Sequence, residues 1–179
     1  MSVLYDVAVS AVAAIMAGNE FAVAAFVHPQ LDRLPDKTHS QIAPRLARVL
    51  NKVRPFWYAL ALLLMLGAIY EHRPATDGPG RLNTFAAILW TAIIVFSGLT
   101  LLPISQRIAT MKPGQLHPRW FQDRARWNSL HEIRVVLLIL AVLFLLTGLF
   151  EAASTPAAND ASPCPSCPAT SPSTSSSHS

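Results

Sequence analysis

Ionisable side chains occur next to long apolar runs at two places in this chain. In the stretch RWNSLHEIRVVLLILAVLFLLTGLF, Trp127, His131 and Arg134 follow one another at spacings of four and three, which places them on one face of a helix. In an earlier apolar run, Glu20 and His28 are two steps of four apart, again roughly on one face. An ionised side chain deep in a bilayer costs about 2.5–3.5 kcal/mol on insertion scales. We therefore expect these groups to face the protein interior and to pair.

Paired ionisable groups in an apolar setting could perform acid–base chemistry. We predict Glu20, His131 and Arg134 as catalytic residues, with Glu20 or His131 as a general base and Arg134 as the partner of an anion. Further residues are predicted to bind substrate, either through flat apolar rings or through polar groups near the same helix ends: Asn19, Arg54, Trp57, Trp90, Gln106 and Trp127. This combination suits an aromatic, weakly acidic, lipid-soluble substrate. An ion-pair network that only fixes the helix register is the structural alternative.

Composition indicates the elements that must position these residues. Apolar residues make up 52% of the 179 residues and charged residues only 13%, which is typical of an integral membrane protein. Four runs are long enough to span a bilayer: residues 3–27, 55–71, 82–104 and 129–150. No basic residue precedes the first run, and Asp6, Asn19 and Glu20 lie within it, so we interpret it as a retained helix rather than a cleaved signal. The predicted fold is all-α: a four-helix antiparallel transmembrane bundle formed by residues 1–151.

Two further segments complete the predicted organisation. Residues 40–53 have apolar side chains at helical spacing and basic ones opposite, which predicts an amphipathic interfacial helix, with Pro44 in its first turn, that leads into the second span. Residues 152–179 are rich in Ser, Pro, Ala and Thr, which predicts a disordered C-terminal tail. The tail holds the C-x-x-C pair Cys164 and Cys167. Three alternatives stay open for this pair: no function, a disulfide, or a functional thiol or metal site.

Basic residues predict the orientation in the membrane. They are concentrated in the two longer loops, and few occur between the second and third spans or at either terminus: Arg33, Lys37, Arg45, Arg48, Lys52 and Arg54 in one loop, and Arg107, Lys112, Arg119, Arg124 and Arg126 in the other. By the positive-inside rule, both termini face outward and the long loops face the cytoplasm. We expect an integral protein of a bacterial inner (plasma) membrane whose positive charge contacts anionic lipid. No basic and aromatic stripe of the kind used by nucleic-acid binders is present, so no nucleic-acid partner is predicted.

Four segments carry a resemblance to a known family. The segments AGNEFAVAAFVHPQL, RPFWYALALLLM, LLPISQRI and RWNSLHEIRVVLLIL resemble blocks of a family of small four-helix membrane proteins whose named members are anthrone oxygenases of polyketide pathways. The resemblance covers roughly residues 5–150. The face formed by Trp127, His131 and Arg134 matches the family pattern W-x-x-x-H-x-x-R. Where the family usually has Pro-x-Asn at the end of helix three, this chain has Pro103 and Ser105, so a hydroxyl replaces an amide.

The resemblance implies oxidation of an anthrone-like substrate with molecular oxygen and without a cofactor. A base that removes the acidic C–H proton, and a cation that stabilises the resulting oxyanion, would suffice. Two alternatives remain. One is a haem or transition-metal protein with His28 and His131 as ligands, although no close His/Glu ligand set demands it. The other is a non-catalytic membrane accessory or transport protein, for which no broken-helix pattern in matching halves is evident.

Overall fold

The described part of the chain forms four long helices. The computed structural model describes residues 3–71, 78–112 and 118–154, and within these ranges it contains no strand. The helices, numbered in chain order, are α1 (Val3–Asp32), α2 (Asp36–Glu71), α3 (Gly78–Thr110) and α4 (Trp120–Ser154). Each is long and apolar enough to cross a membrane. The predicted all-α class with four membrane helices is therefore confirmed.

The helices extend beyond the predicted spans. The amphipathic segment and the second span form the single helix α2, which begins at Asp36, so Pro44 lies eight residues inside it and not in its first turn as predicted. The fourth helix also continues to Ser154, past the predicted start of the tail at residue 152. The Ser154 hydroxyl donates a hydrogen bond to the Phe150 carbonyl, which holds the added turn. The rest of the predicted tail, with both cysteines, lies outside the described residues.

Two helices contain a π-helical turn. In α1 the turn covers Val23–Val27, between the α-helical segments Val3–Ala22 and His28–Asp32. In α3 it covers Ser97–Leu101, between Gly78–Phe96 and Leu102–Thr110. A π turn inserts one extra residue into a helix and so rotates everything that follows it relative to what precedes it. The apolar pattern of these segments did not predict either turn.

The core consists of small and apolar side chains contributed by all four helices. It includes Val9 and Ala13 of α1, Met65 of α2, Trp90 of α3 and Leu138 of α4, all of which are buried. Most large apolar side chains outside this core are exposed, as expected for helices whose outer surfaces meet lipid. A second, smaller cluster of Leu101, Ile104 and Trp127 lies nearer the two longer loops.

Contacts between helices place the polar residues at one end of the bundle. Tyr5 near the start of α1 donates to the Leu64 carbonyl near the end of α2, 2.8 Å away, whereas Glu20 reaches Arg54 nearer the middle of α2. His28 at the far end of α1 bonds Asn128 near the start of α4. The polar contacts of Glu20 and His28 thus lie toward the end of the bundle opposite Tyr5, and the antiparallel packing of the four helices stays a prediction.

Candidate active site

A buried charge cluster, formed by Glu20, Arg54, His131 and Arg134, connects three helices. The Glu20 side chain is fully buried, and its two carboxylate oxygens contact different guanidinium groups. Arg54 Nε lies 2.9 Å from Glu20 Oε1, and Arg134 Nη2 donates to Glu20 Oε2. Two guanidinium groups thus surround one carboxylate, and the three side chains together carry one excess positive charge. Both arginines are largely withdrawn from solvent, with 11% of the Arg54 side chain and 3% of the Arg134 side chain exposed.

The contact between Arg134 and His131 defines the protonation state of the histidine. Arg134 Nη2 lies 2.6 Å from His131 Nδ1. A guanidinium has only donors, so His131 Nδ1 must accept this hydrogen bond through its lone pair. A neutral imidazole has one acceptor nitrogen and one donor nitrogen, and His131 Nε2 therefore carries the proton. The site thus presents His131 as a hydrogen-bond donor, with the Arg134 contact occupying its lone pair.

The π turn of α1 places His28 on the same face as Glu20. At about 100° per residue, the eight steps from Glu20 to His28 would leave the side chains about 80° apart on a regular α-helix. Absorbing one residue in a π turn reduces this offset to about 20°. His28 lies beside the cluster accordingly: its ring centroid is 5.3 Å from that of His131, and it stacks on Trp127 at 4.4 Å.

A chain of hydrogen bonds fixes the tautomer of His28, which is the opposite of the tautomer of His131. Asn128 Nδ2 donates to the Asp32 carboxylate at 3.2 Å, which turns Asn128 Oδ1 toward His28 Nδ1 at 2.9 Å. An amide oxygen only accepts, so His28 Nδ1 is the donor and His28 Nε2 keeps the lone pair. The two histidines therefore have complementary roles: His28 provides an acceptor nitrogen and His131 a donor nitrogen.

An apolar cavity of about 420 Å³ adjoins the charge cluster between α2 and α3. We call it the lateral cavity. Arg54, Arg134 and Trp127 line its polar end, and Tyr58 is also part of its wall. The Arg54 guanidinium lies 5.6 Å from the centroid of the Trp127 ring, a cation–π distance. The volume falls within the range of about 300–1,000 Å³ common for small-molecule sites.

The predicted site residues divide into those that the fold brings together and those that it separates. Glu20, His131, Arg134, Arg54 and Trp127 meet at the cluster and the lateral cavity, as described above. The other predicted substrate-binding residues lie elsewhere: Asn19 and Gln106 are exposed, Trp57 packs against the apolar core, and Trp90 is fully buried, with its indole donating to the Tyr58 carbonyl at 3.2 Å. Glu20 and His131 contact the arginines but do not line the lateral cavity.

An amide side chain lies beside Ser105, although Ser105 itself stands where the family usually has the Asn of Pro-x-Asn. Ser105 Oγ donates to Asn51 Oδ1 at 2.7 Å, and both residues line the lateral cavity. The amide absent from α3 is thus supplied by α2. Sequence analysis missed Asn51 and Asn128, because a lone amide in a polar stretch has no periodic signal and its partner is distant in the chain.

The ability of these residues to hold a metal ion is limited by the histidine contacts. Among the described ranges, no group of three or more His, Cys, Asp or Glu side chains is arranged to hold a metal. His28 Nε2 has a free lone pair, whereas the lone pair of neutral His131 is engaged by Arg134. A ligand pair built from these two histidines would require the Arg134 contact to break.

Comparison with known proteins gives one match. A family model described as anthrone oxygenase matches residues 46–144, which is more than half of the chain. The match contains Arg54, Trp127, His131 and Arg134, whereas Glu20 and His28 precede it. The searches of curated proteins and of solved structures returned no match.

Proposed function

The chain belongs to the anthrone oxygenase family, and we propose that it oxidises a hydrophobic aromatic substrate of the anthrone class with molecular oxygen. The observation that carries the proposal is the excess positive charge of Arg54 and Arg134 at the polar end of an otherwise apolar cavity. Such a cavity favours a flat apolar ligand with a single anionic oxygen. An anthrone that has lost its acidic C–H proton is an anion of this kind.

The main requirement of the proposed chemistry is stabilisation of the negative charge on the enolate. Removal of one proton from the CH₂ group of an anthrone gives an enolate, whose oxygen the two guanidinium groups would bind. The enolate is electron-rich and reduces oxygen, forming a peroxide at the same carbon. The peroxide anion takes up the first proton. Loss of the second C–H proton then breaks the O–O bond and releases hydroxide, which that proton converts to one water, and a ketone remains. Positive charge in a site shielded from water stabilises the enolate far more than the same charge in water would.

The side chains have separate roles in this proposal. Arg54 and Arg134 bind the oxyanion, and Trp127 provides a flat wall. Glu20 holds both guanidinium groups in place, because each of its oxygens is engaged by one of them. His131 supports Arg134. His28 takes the place of the Glu20 or His131 favoured by the sequence as the final acceptor of the substrate proton, because its Nε2 has no partner among the described residues. His28 does not line the lateral cavity, so a water molecule would have to carry the proton to it.

We also propose that substrate enters from the bilayer. Ala59 and Gly98 line the lateral cavity and are exposed, so the cavity reaches the outer surface of the bundle between α2 and α3. Exposed apolar side chains such as Leu63 and Leu99 surround that surface. The concentration of basic residues in the long loops supports a bacterial inner-membrane protein with both termini outside. On that orientation the charge cluster lies in the cytoplasmic third of the bilayer.

Oxygen consumption by purified protein in detergent tests the proposed reaction. We expect anthrone to be converted to anthraquinone with the uptake of one O₂ per substrate, above the rate of spontaneous oxidation. Arg54→Gln and Arg134→Gln should each reduce this rate, whereas Arg126→Gln, at an exposed position, should not. The proposal requires that Arg54→Gln and Arg134→Gln lose activity while the amount of folded protein stays the same.

The same preparation distinguishes the alternatives. An absorption spectrum and elemental analysis would detect a bound haem or a stoichiometric transition metal, which would make His28 a candidate ligand. No oxygen uptake and no bound cofactor would instead favour an accessory or transport protein, and proton-coupled uptake into vesicles would support transport.

A further inference from the structure

A second, small cavity lies on the loop side of the charge cluster. We call it the inner chamber; its volume is about 60 Å³, and its walls include His28, His39, Trp120 and Arg124. Arg54, Ser105 and Trp127 line both the inner chamber and the lateral cavity, so these three side chains form the wall between the two. About 10–15 Å³ suffices for one water molecule, so the chamber has room for several.

Several buried polar atoms without hydrogen-bond partners belong to the residues of this chamber. His28 Nε2, His39 Nδ1, Arg54 Nη2 and Trp120 Nε1 are all buried and have no hydrogen-bond partner in the described part of the chain. All four belong to residues that line the chamber. A buried polar group without a partner is unfavourable, so four such groups around one cavity favour a shared ligand there. Arg54 Nη2 and Trp120 Nε1 are donors and His28 Nε2 is an acceptor, so a small molecule that both donates and accepts suits this set of groups.

We propose that the inner chamber binds a cluster of water molecules that exchanges protons between His28 and the aqueous phase at the long loops. Water has the required size and the required mixture of donors and acceptors. Arg124 lines the chamber, and its guanidinium pairs with Asp32 at 2.6 Å and with Asp36 at 3.5 Å. These groups are partly exposed, so the chamber ends close to the solvent.

The tautomer of His28 gives the chamber its chemical role. The carboxylate of Asp32 orients Asn128, and Asn128 holds the proton of His28 on Nδ1. Asp32 and Asn128 are thus positioning residues that keep the Nε2 lone pair available to a proton in the chamber. Both cavities have mainly apolar walls, with Leu46, Ala47 and Leu50 among those of the inner chamber, but the chamber also borders the unpartnered polar groups of His28, His39 and Trp120, which the lateral cavity does not. Substrate and protons would accordingly reach the dividing wall from opposite sides.

Indole NMR of the detergent-solubilised full chain tests the hydration of the chamber without any substrate. Trp120 and Trp90 are both buried, but Trp90 Nε1 donates to a backbone carbonyl in the dry core, whereas Trp120 Nε1 borders the chamber. With ¹⁵N-indole-labelled protein, and with Trp120→Phe to assign the signal, we expect a water cross-peak at Trp120 Nε1–H and none at Trp90. If the indole N–H of Trp120 showed no more contact with water than that of Trp90, the proposal would be overturned.

A filling variant and a histidine measurement complete the test. Ala47→Leu adds volume to the chamber wall and should abolish the water cross-peak of Trp120, whereas Ala14→Leu, at an exposed site of α1, should leave it unchanged. An unchanged Trp90 signal shows that each variant is folded. If Ala47→Leu does not fold, the comparison of Trp120 with Trp90 in the unaltered chain decides.

The ¹⁵N shifts of neutral His28 should show a protonated Nδ1 and an unprotonated Nε2. The opposite tautomer would refute its assignment as the proton acceptor. None of these measurements depends on anthrone oxidation, so the chamber and the proposed function can fail separately.

Discussion

Replacing Glu20 with glutamine tests whether the carboxylate holds the charge cluster together. Glu20 is fully buried and is the partner of both Arg54 and Arg134. Glu20→Gln keeps the shape of the side chain but raises the excess charge of the three groups from one to two. Removing one partner of a buried ion pair costs about 3–5 kcal/mol, because the remaining charge stays buried without compensation. We therefore expect the free energy of unfolding to fall by about that amount.

Reversible unfolding in mixed micelles, followed by circular dichroism as the fraction of denaturing detergent is increased, measures this loss. Glu132→Gln is the matched control: it removes a carboxylate twelve residues into the same helix as Arg134 but at an exposed position, and should change the free energy of unfolding by no more than about 0.5 kcal/mol. In the double variant Glu20→Gln with Arg134→Gln, the loss should be smaller than the sum of the single losses. Equal stability of Glu20→Gln and Glu132→Gln would refute the cluster as described.

Two glycine substitutions test the lateral cavity and the packing of the far end of the bundle. Gly98→Phe should obstruct the mouth of the cavity and reduce the rate of anthrone oxidation on the order of tenfold, equivalent to about 1.4 kcal/mol, whereas Gly18→Phe, with open space around it on another helix, should leave the rate unchanged. Equal rates in both variants would exclude entry at Gly98. Gly148→Ala should destabilise the fold by about 1–3 kcal/mol, because the added Cβ would come within 3.0 Å of Asn83 Cγ and of the Pro79 carbonyl. Thermal unfolding with Gly18→Ala as the control measures this loss, and equal stability of the two variants would contradict the close approach.

The sequence predicted the class of fold well because the hydrophobic run is a local signal. Long apolar runs fix the number of membrane helices, whatever packs against them. The helix ends were less accurate, since α2 begins at Asp36 and α4 ends at Ser154. Helical hydrogen bonds continue past the point where hydropathy falls, so composition marks the bilayer and not the end of the helix.

The candidate site was predictable in part. The spacing of His131 and Arg134 on one helix, and the cost of burying Glu20, were enough to predict that these groups are buried and paired. The histidine roles were not predictable, because they depend on Asn128 and on a π turn in α1, neither of which leaves a periodic pattern. Trp90 was assigned to the substrate because its type suits a flat ligand, yet an indole that bonds a neighbouring backbone carbonyl is equally suited to a core.

On the proposed function, the arrangement of the two cavities would account for a charge cluster near one end of the bundle instead of at its centre. An acid–base reaction on a lipid-soluble substrate requires a site that a flat apolar molecule can reach from the bilayer and that protons can reach from water. A site at the midplane would meet the first requirement only, because a water path to it would have to cross half of the apolar core. Arg54, Ser105 and Trp127 form a wall one side chain thick between the lateral cavity and the inner chamber. In the proposed reaction, guanidinium groups shielded from water would stabilise the enolate, and the proton would have only the short distance to Arg124 and the loops to travel.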